Sequence, residues 1–309
     1  MSETQVKPAE IKGFNPGHRA CPGCGLAMAA KLVTEVIGPK VIAVCATGCL
    51  EVFSTPYPES AWGMPWIHSL FENNSAVATG VEAGLKALGK ADTARIIAMG
   101  GDGATLDIGF GALSGMMERN QDILYICFDN EAYMNTGIQR SGSTPYGAST
   151  TTSPATELCA GKDRPKKDLP AICAAHGIPY SATTSVGYYQ DLRRKVKKAI
   201  EIKGSRYLQI HCACPPGWGM ADTNTVNIAK LAVEYGLYPL VEYENGVLSA
   251  VRKIKQQVPV EEYLKPQRRF AHLFRSECGK VALAEIQAMA NANIAKFGLL
   301  DTSAEGAAE

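Results

Sequence analysis

At 309 residues the chain is long enough to bury a sizeable core, as one large α/β domain with an extension or as two domains. Its 31 Lys and Arg against 30 Asp and Glu leave a formal charge of +1, which excludes the strongly basic character of a nucleic-acid partner. The N-terminus lacks an apolar signal core and no run is long enough to span a membrane, so the expectation is a cytoplasmic protein without membrane contact, in which ten cysteines serve as metal ligands or buried thiols rather than a disulfide scaffold.

Residues 1–20 are polar and carry Pro8, Pro16 and Gly17, the composition of an arm that docks on the domain or on a partner. Cys21-Pro22-Gly23-Cys24-Gly25 follows and leads into Leu26 to Ile37, apolar at helical spacing. A C-x-x-C loop before a helix is compatible with a redox dithiol, a zinc half-site or an iron–sulfur half-site. Lys40 to Ala46 reads as a strand that ends in Thr47-Gly48-Cys49, a glycine turn with a cysteine at a strand end. The stretch from Pro58 to Asn74 is too rich in proline and aromatics for an ordinary linker, and Ser75 to Leu88 after it reads as a helix of small residues. His68 in that stretch is a candidate phosphate or substrate ligand, set against a packed histidine among aromatics.

The chain is organised around residues 95–137. Arg95-Ile96-Ile97-Ala98-Met99 is a short apolar run that delivers Gly101-Asp102-Gly103 to its carboxyl end, where open α/β sheets bind ligands. Ile108 to Arg119 has helical spacing, and Ile123 to Phe128 is a second apolar run closing on Asp129-Asn130. A diphosphate with magnesium needs hard oxygen ligands and glycines where the backbone comes close to phosphate. Asp102 offers a carboxylate, Asn130 a side-chain carbonyl and Ala132 a backbone carbonyl. The spacing from Gly-Asp-Gly to the asparagine resembles the thiamine-diphosphate motif; the bland reading is an Asp-Gly turn plus an Asx turn at a strand end.

Residues 138–168 are too long for an ordinary connection, and their place directly after the ligand loop favours a wall over the site or a partner contact, against a flexible hydroxyl-rich linker. Asp168 to His176 reads as a helix, Pro179 to Thr184 as a strand and Tyr188 to Lys203 as a helix whose run Arg193-Arg194-Lys195-Val196-Lys197-Lys198 is either a solvated face or a dock for an acidic electron carrier. Tyr207 to Ile210 is strand-like and precedes His211-Cys212-Ala213-Cys214-Pro215. Leu240 to Glu244 and Val247 to Ala250 flank Asn245-Gly246, a hairpin signal, and Lys280 to Phe297 is a last helix before a disordered-looking tail at 301–309. Cys45, Cys127, Cys173 and Cys278 fall on strand- or helix-like runs and read as small core hydrophobes, while Cys159 stays unassigned. In a parallel sheet Cys49 and Cys214 share an edge with Gly101-Asp102-Gly103. Single cysteines on separate strand ends suit a wedged cluster better than a zinc ribbon, which carries two close knuckles. Cys212, two residues before Cys214, is an alternative ligand.

With both sets of residues in hand, the sequence resembles the beta subunit of a 2-oxoacid:ferredoxin oxidoreductase, and within that family the pyruvate synthase (pyruvate:ferredoxin oxidoreductase) type. The resemblance covers about 15–220. It rests on Gly17-His18-Arg19 before the C-x-x-C loop, Ala46-Thr47-Gly48-Cys49-Leu50-Glu51-Val52, Trp66-Ile67-His68-Ser69-Leu70-Phe71-Glu72-Asn73, Gly101-Asp102-Gly103 and Asp129 to Gly137. It implies a thiamine-diphosphate-binding α/β fold, mostly parallel with helices on both faces, plus a C-terminal hairpin and helix. The expected organisation is an arm at 1–20, a cofactor and cluster domain at 21–220 and an extension at 221–309. It further implies one 4Fe-4S cluster on Cys21, Cys24, Cys49 and Cys214, although family members usually have proline where this chain has Ala213. Magnesium falls to Asp102, Asn130 and the carbonyl of Ala132. Cofactor contacts fall to Gly101, Gly103, Thr47, Gly48 and His68, with Asn135 near the reacting part of the cofactor.

The implied activity is oxidative decarboxylation of pyruvate or a similar small 2-oxoacid, oxalate included, with electrons passing through the cluster to ferredoxin and coenzyme A capturing the acyl group when the substrate is pyruvate. The family takes a catalytic glutamate from another domain or subunit, so the chain is expected to work only with alpha and gamma/delta type partners. Two other readings compete: a non-redox thiamine-diphosphate decarboxylase or carboligase, and a zinc-stabilised interaction subunit.

Overall fold

The run Ile123–Asp129 is apolar at every position but the last and buried along its whole length, which requires a central strand covered on both faces. In the computed structural model, which describes residues 12–156 and 160–300, that strand lies in an eight-stranded sheet. The strands are β1 (Val41–Ala46), β2 (Trp66–Ser69), β3 (Arg95–Gly101), β4 (Ile123–Asp129), β5 (Tyr180–Ser185), β6 (Arg206–His211), β7 (Val241–Glu244) and β8 (Val247–Val251). Their order is β2-β1-β3-β4-β6-β5-β7-β8. The first six are parallel, and β7 and β8 add antiparallel at one edge.

Among the described residues ten α-helices accompany the strands: α1 (Gly25–Ile37), α2 (Cys49–Ser54), α3 (Asn74–Ala87), α4 (Phe110–Glu118), α5 (Leu169–Ala175), α6 (Tyr189–Glu201), α7 (Pro215–Trp218), α8 (Thr225–Glu234), α9 (Glu261–Leu264) and α10 (Glu277–Phe297). Side chains of β4 alternate between two cores. Leu124, Ile126 and Phe128 join α1, α6, α8 and α10 on one face, and Ile123, Tyr125 and Cys127 join α3, α4 and α5 on the other. The hairpin β7–β8 turns through Asn245 and Gly246, both at positive φ, as its Asn-Gly signal requires.

This connectivity decides where a ligand binds. Strand β1 leads outward to β2 and strand β3 leads the opposite way to β4, so the chain reverses direction between β1 and β3. Such a switch point opens a crevice at the carboxyl ends of the strands. Parallel register places Ala46, Gly101, Asp129 and His211 near one edge, and the loops after them carry Thr47-Gly48-Cys49, Asp102-Gly103, Asn130 and Cys212 to Cys214.

Several expectations are modified. The helix expected from Ile108 begins earlier, because a π-helical turn spans Gly103–Ile108 and runs into α4. The turn closes through the Gly109 N–H bonding the Ala104 carbonyl at 2.8 Å, an approach in which a Cβ on residue 109 would lie 2.3 Å from that oxygen. The aromatic stretch before α3 contains edge strand β2, with Trp62, Trp66 and His68 stacked in series. Cys45, Cys127 and Cys173 are core residues, but Cys278 is half-buried, because the buried stripe of α10 runs through Gly279, Ala282 and Ile286 instead. The described part of the N-terminal arm docks on the domain through buried Phe14 and through Arg19 N–H bonding the Phe53 carbonyl. Cys159, the first eleven residues and the tail at 301–309 lie outside the described residues.

Most charges of the basic run on α6 have acidic partners. Arg193 meets Glu35, Arg194 meets Asp191 and Glu242, buried Lys195 meets Asp191, and Lys198 meets Glu242 and Glu244. Burial works to raise the Glu242 carboxyl, yet hydrogen bonds from Arg194, Lys198 and Tyr180 outweigh it and hold the group at about 2, against an ordinary 4.5. A carboxyl depressed in the folded state adds stability above its unfolded pKa and loses it as pH falls through the folded one. The urea midpoint of Glu242→Gln should therefore lie below wild type at neutral pH, with the gap narrowing from about pH 4.5 toward pH 2; a gap independent of pH would show that the carboxylate charge is not what matters.

Candidate functional site

The crevice between β1 and β3 is lined by Thr47, Gly48, Gly101, Asp102, Gly103, Asn130 and Ala132, and by the loop from Tyr133 to Thr136. Sequence-selected residues from three strand ends are thus brought together. Gly103 is required by packing: a Cβ there would lie 2.4 Å from the Tyr133 ring, whose hydroxyl donates to the Gly103 carbonyl at 2.9 Å. Glycine at 101 leaves open space where a side chain would stand, as a backbone that approaches a phosphate needs.

Asp102 is completely buried. Burial and the neighbouring Asp129 carboxylate push its carboxyl well above the usual range, with the Ser141 hydroxyl bond pulling the other way. A cation beside it would favour the ionised form. Two further groups stand close to it. The Asn130 side-chain oxygen lies 2.9 Å from both Asp102 Oδ1 and the Ala132 carbonyl oxygen. An octahedral ion with metal–oxygen bonds near ~2.1 Å places adjacent ligands about 3 Å apart. With the amide turned over, its nitrogen donates to both oxygens at 2.9 Å, so the three residues close on one another by hydrogen bonds, and a cation could be held only with the amide oxygen turned inward.

The 138–168 segment, where described, forms a wall over this edge rather than a flexible linker. Ser141, Ser143, Thr144 and Lys162 are buried. Ser141 donates to Asp102, Ser143 to Asp129 and Thr144 to the Glu131 carbonyl. Asp107 on the π-helical turn accepts the Gly142 N–H, while Lys162 Nζ donates to the Gly142 and Thr144 carbonyls. Lys166 spans Asp129 at 2.9 Å and Glu131 at 2.7 Å. Burial acts to neutralise Lys166, but the two carboxylates prevail and hold it charged. Glu131 is likewise kept well below the usual range: burial opposes ionisation, and Lys166 and Arg269 overcome it.

These network residues escape sequence reasoning. Glu131 sits inside the Asp-Asn-Glu motif, which is the one available signal; Lys166 and Arg269 carry none. Glu131 also has φ +71° and Ile138 φ +63°, a strained conformation for residues with a Cβ, and a β-branched one above all. The two flank the turn that presents Met134 and Asn135, closed by pairing of Tyr133 with Gln139.

A second cavity of about 370 Å³ adjoins the first and is lined by Cys21, Cys24, Cys49, Cys212 and Cys214. Asn130, Asn135, Cys49 and Leu26 line both. Glycines permit the convergence. Gly23 has φ +67° against the Asp222 backbone, and a Cβ at Gly25 would lie 2.6 Å from the Ala213 carbonyl. Cys49 opens α2, and Cys24 and Cys214 cap α1 and α7. Cys24, Cys49 and Cys214 are half-buried and Cys21 is exposed. Burial raises the thiols of Cys24, Cys49 and Cys214, the last two to about 12. Cys212 lies fully buried beneath them, its thiol donating to the Ile210 carbonyl at 3.2 Å. Among the described residues no three histidine, cysteine, aspartate or glutamate side chains converge tightly enough for a single metal ion; the thiols surround a volume instead.

His68 is placed one step back. Its Nε2 is 2.8 Å from the Thr47 hydroxyl and 3.8 Å from Glu51, so it reaches the crevice through Thr47. Asn135 is exposed at the junction of the two cavities.

A family model described as the thiamine pyrophosphate enzyme C-terminal TPP-binding domain matches residues 45–210. The chain is 57% identical to pyruvate synthase subunit PorB of Methanosarcina barkeri, covering 97% of this chain and 100% of that one. It is 53% identical to PorB of Methanothermobacter thermautotrophicus, over 89% and 96% of the two chains. Ketoisovalerate oxidoreductase subunit VorB of Pyrococcus abyssi is 44% identical over 86% of this chain and 88% of that one. In fold, the chain is similar to a 2-oxoglutarate:ferredoxin oxidoreductase from Magnetococcus marinus, with a TM-score of 0.57, 24% identity and 69% of each chain covered. Gly103→Ala should displace Tyr133 and close the crevice: calorimetric titration should show thiamine diphosphate binding weakened at least about tenfold, the loss expected when a site's supporting geometry shifts. Unchanged affinity would mean that the ligand does not occupy this crevice.

Proposed function

This chain belongs to the beta subunits of the 2-oxoacid:ferredoxin oxidoreductases, and on that premise we propose that it carries the magnesium thiamine-diphosphate site and one 4Fe-4S cluster of a pyruvate-oxidising complex. The observation that carries the reading is the junction of the two cavities. Asn130 and Asn135 line both the diphosphate crevice and the ring of cysteines, an arrangement of use to an enzyme that takes electrons from one site to the other. A non-redox thiamine enzyme has no need of the ring.

Asp102, Asn130 and the Ala132 carbonyl would hold magnesium, and Gly101, Gly103, Thr47 and Gly48 would accommodate the diphosphate, with His68 acting on Thr47. Cys21, Cys24, Cys49 and Cys214 would hold the cluster. Thiols spaced around a volume suit a polynuclear cluster better than a single zinc ion, and the buried position of Cys212 and its bond to Ile210 favour Cys214 as the fourth ligand. When bound, the thiamine cofactor supplies an electron sink for decarboxylation of a 2-oxoacid, and the cluster supplies one-electron acceptance. The protein's own residues place these groups: Asp102 and its neighbours anchor the charged end, the 138–168 wall excludes water from the ligand carboxylate, and Asn135 presents an amide where the reacting atoms would lie.

Among the residues lining the diphosphate crevice Asp102 is the one carboxylate, and it is committed to the metal. In this reading a partner subunit of alpha or gamma/delta type supplies the glutamate for proton work at the cofactor ring. Pyruvate is the favoured substrate because relatives over nearly the whole chain are pyruvate synthase subunits; coenzyme A would capture the acyl group and ferredoxin would accept the electrons, in the cytoplasm.

The native complex, purified without oxygen, should reduce a one-electron dye with pyruvate in a coenzyme-A-dependent manner. Cys214→Ser should lose this activity and the iron of this chain, whereas Cys212→Ser should keep both. If no acid in a panel of pyruvate, 2-oxoisovalerate, 2-oxoglutarate, an arylpyruvate and oxalate reduced the dye in an iron- and thiamine-loaded complex, the redox reading would be wrong; activity on oxalate without coenzyme A would replace the substrate alone.

A further inference from the structure

Residues 268–274 form a 3₁₀ segment after α9, and no residue beyond 216 lines either cavity. One side chain from this segment nevertheless reaches both walls. Arg269 is buried and donates from one terminal nitrogen to Glu131 Oε2 at 2.6 Å and from Nε to Gln267 Oε1 at 2.9 Å. Its guanidinium plane sits 3.8 Å from the centre of the Trp218 ring. Trp218 is fully buried and donates its indole N–H to the Asn130 carbonyl at 2.9 Å. At the other end of α7, Trp218 N–H bonds the Cys214 carbonyl at 2.8 Å.

The backbone that presents Asn130 and the backbone that presents Cys214 therefore share one anchor. We propose that Arg269 is a positioning residue that locks these two loops together through Glu131 and Trp218, and so sets the placement of the diphosphate site relative to the cysteine ring. The inference rests on the function proposed above and adds to it the element that holds the two sites in register. Three features support it. Glu131 is held at a positive φ that its own backbone disfavours, and the Arg269 ion pair is one of the contacts that hold it there. The stacked, forked geometry uses the flat guanidinium, which a lysine does not reproduce. Packing across the junction is tight as well: a Cβ at Gly217 on α7 would lie 2.2 Å from the Met134 sulfur and 3.1 Å from Cys214 Sγ, so movement of either loop is transmitted to the other.

Arg269→Lys keeps the charge and removes the fork and the stack, and Trp218→Phe keeps the ring and removes the bond to Asn130. Both are made in the native complex under anaerobic conditions. Two quantities are measured: the Kd of magnesium thiamine diphosphate for cofactor-stripped complex, and the electron paramagnetic resonance spectrum of the reduced cluster ligated by this chain. Each variant should weaken cofactor binding by about tenfold or more, the usual cost of losing an outer support of a metal site, and should shift the cluster spectrum. Melting temperature is recorded in parallel. Lower melting with cofactor affinity and spectrum both unchanged means a purely structural role and overturns the inference, as does a change confined to one of the two sites. Should Arg269→Lys fail to assemble, Trp218→Phe decides alone. A wild-type complex that binds neither cofactor would overturn the functional reading and this inference with it, whereas a wild type that binds both while the variants match it overturns this inference only.

Discussion

Two carboxylates buried side by side govern the carboxyl edge of this sheet. Asp102 and Asp129 stand at the ends of adjacent strands, both without solvent exposure. Like charges in such a place repel and cost several kcal/mol per ion unless compensated, an order of magnitude set by burial of charge in a low-dielectric interior. The compensation comes from the wall: Lys166 reaches Asp129, and Ser141 and Ser143 each donate to one carboxylate. This hydroxyl-bearing segment is held here by the bonds its donors make to the two carboxylates, beside those from Gln209 and from the backbone N–H groups of Asn130 and Glu131. Of the two, Asp102 has the fewer donors.

The same edge explains why one chain can host two sites without strain spreading through the core. Both sites are built from loops at strand ends, and the sheet beneath them is continuous, with β4 buried on both faces. At this edge, strain falls on Glu131 and Ile138, whose positive φ angles flank the turn bearing Asn135. Each such residue costs on the order of 1–3 kcal/mol. The bonds of Glu131 to Lys166 and Arg269 are what make its share tolerable, and they bind the turn to the wall on one side and to the C-terminal segment on the other.

The C-terminal third does more than extend the chain. Its hairpin continues the sheet, and α8 and α10 complete one of the two cores. Charges on α6 that look free in the sequence are absorbed by Glu242 and Glu244 of this hairpin. Much of the basic run thereby holds the edge strands in place.

Local chemistry made much of this protein readable from sequence. Glycines next to an aspartate at a strand end, an asparagine at the end of the next strand, and a C-x-x-C loop before a helix are short-range patterns, and the structure assembles them at one edge because parallel strands align their carboxyl ends. The hairpin was equally readable, since Asn-Gly satisfies its own turn. Residues whose role depends on distant partners were not. Arg269 and Lys166 acquire their meaning from Glu131, far away in sequence, and nothing in their neighbours marks them. His68, a candidate ligand, stands behind Thr47, and Cys212, the alternative to Cys214, is fully buried with its thiol bonded to Ile210. Turn chemistry and strand periodicity are set by neighbours along the chain and so are written in order, whereas burial of a charge, and the group that neutralises it, exist only once the chain has closed around them.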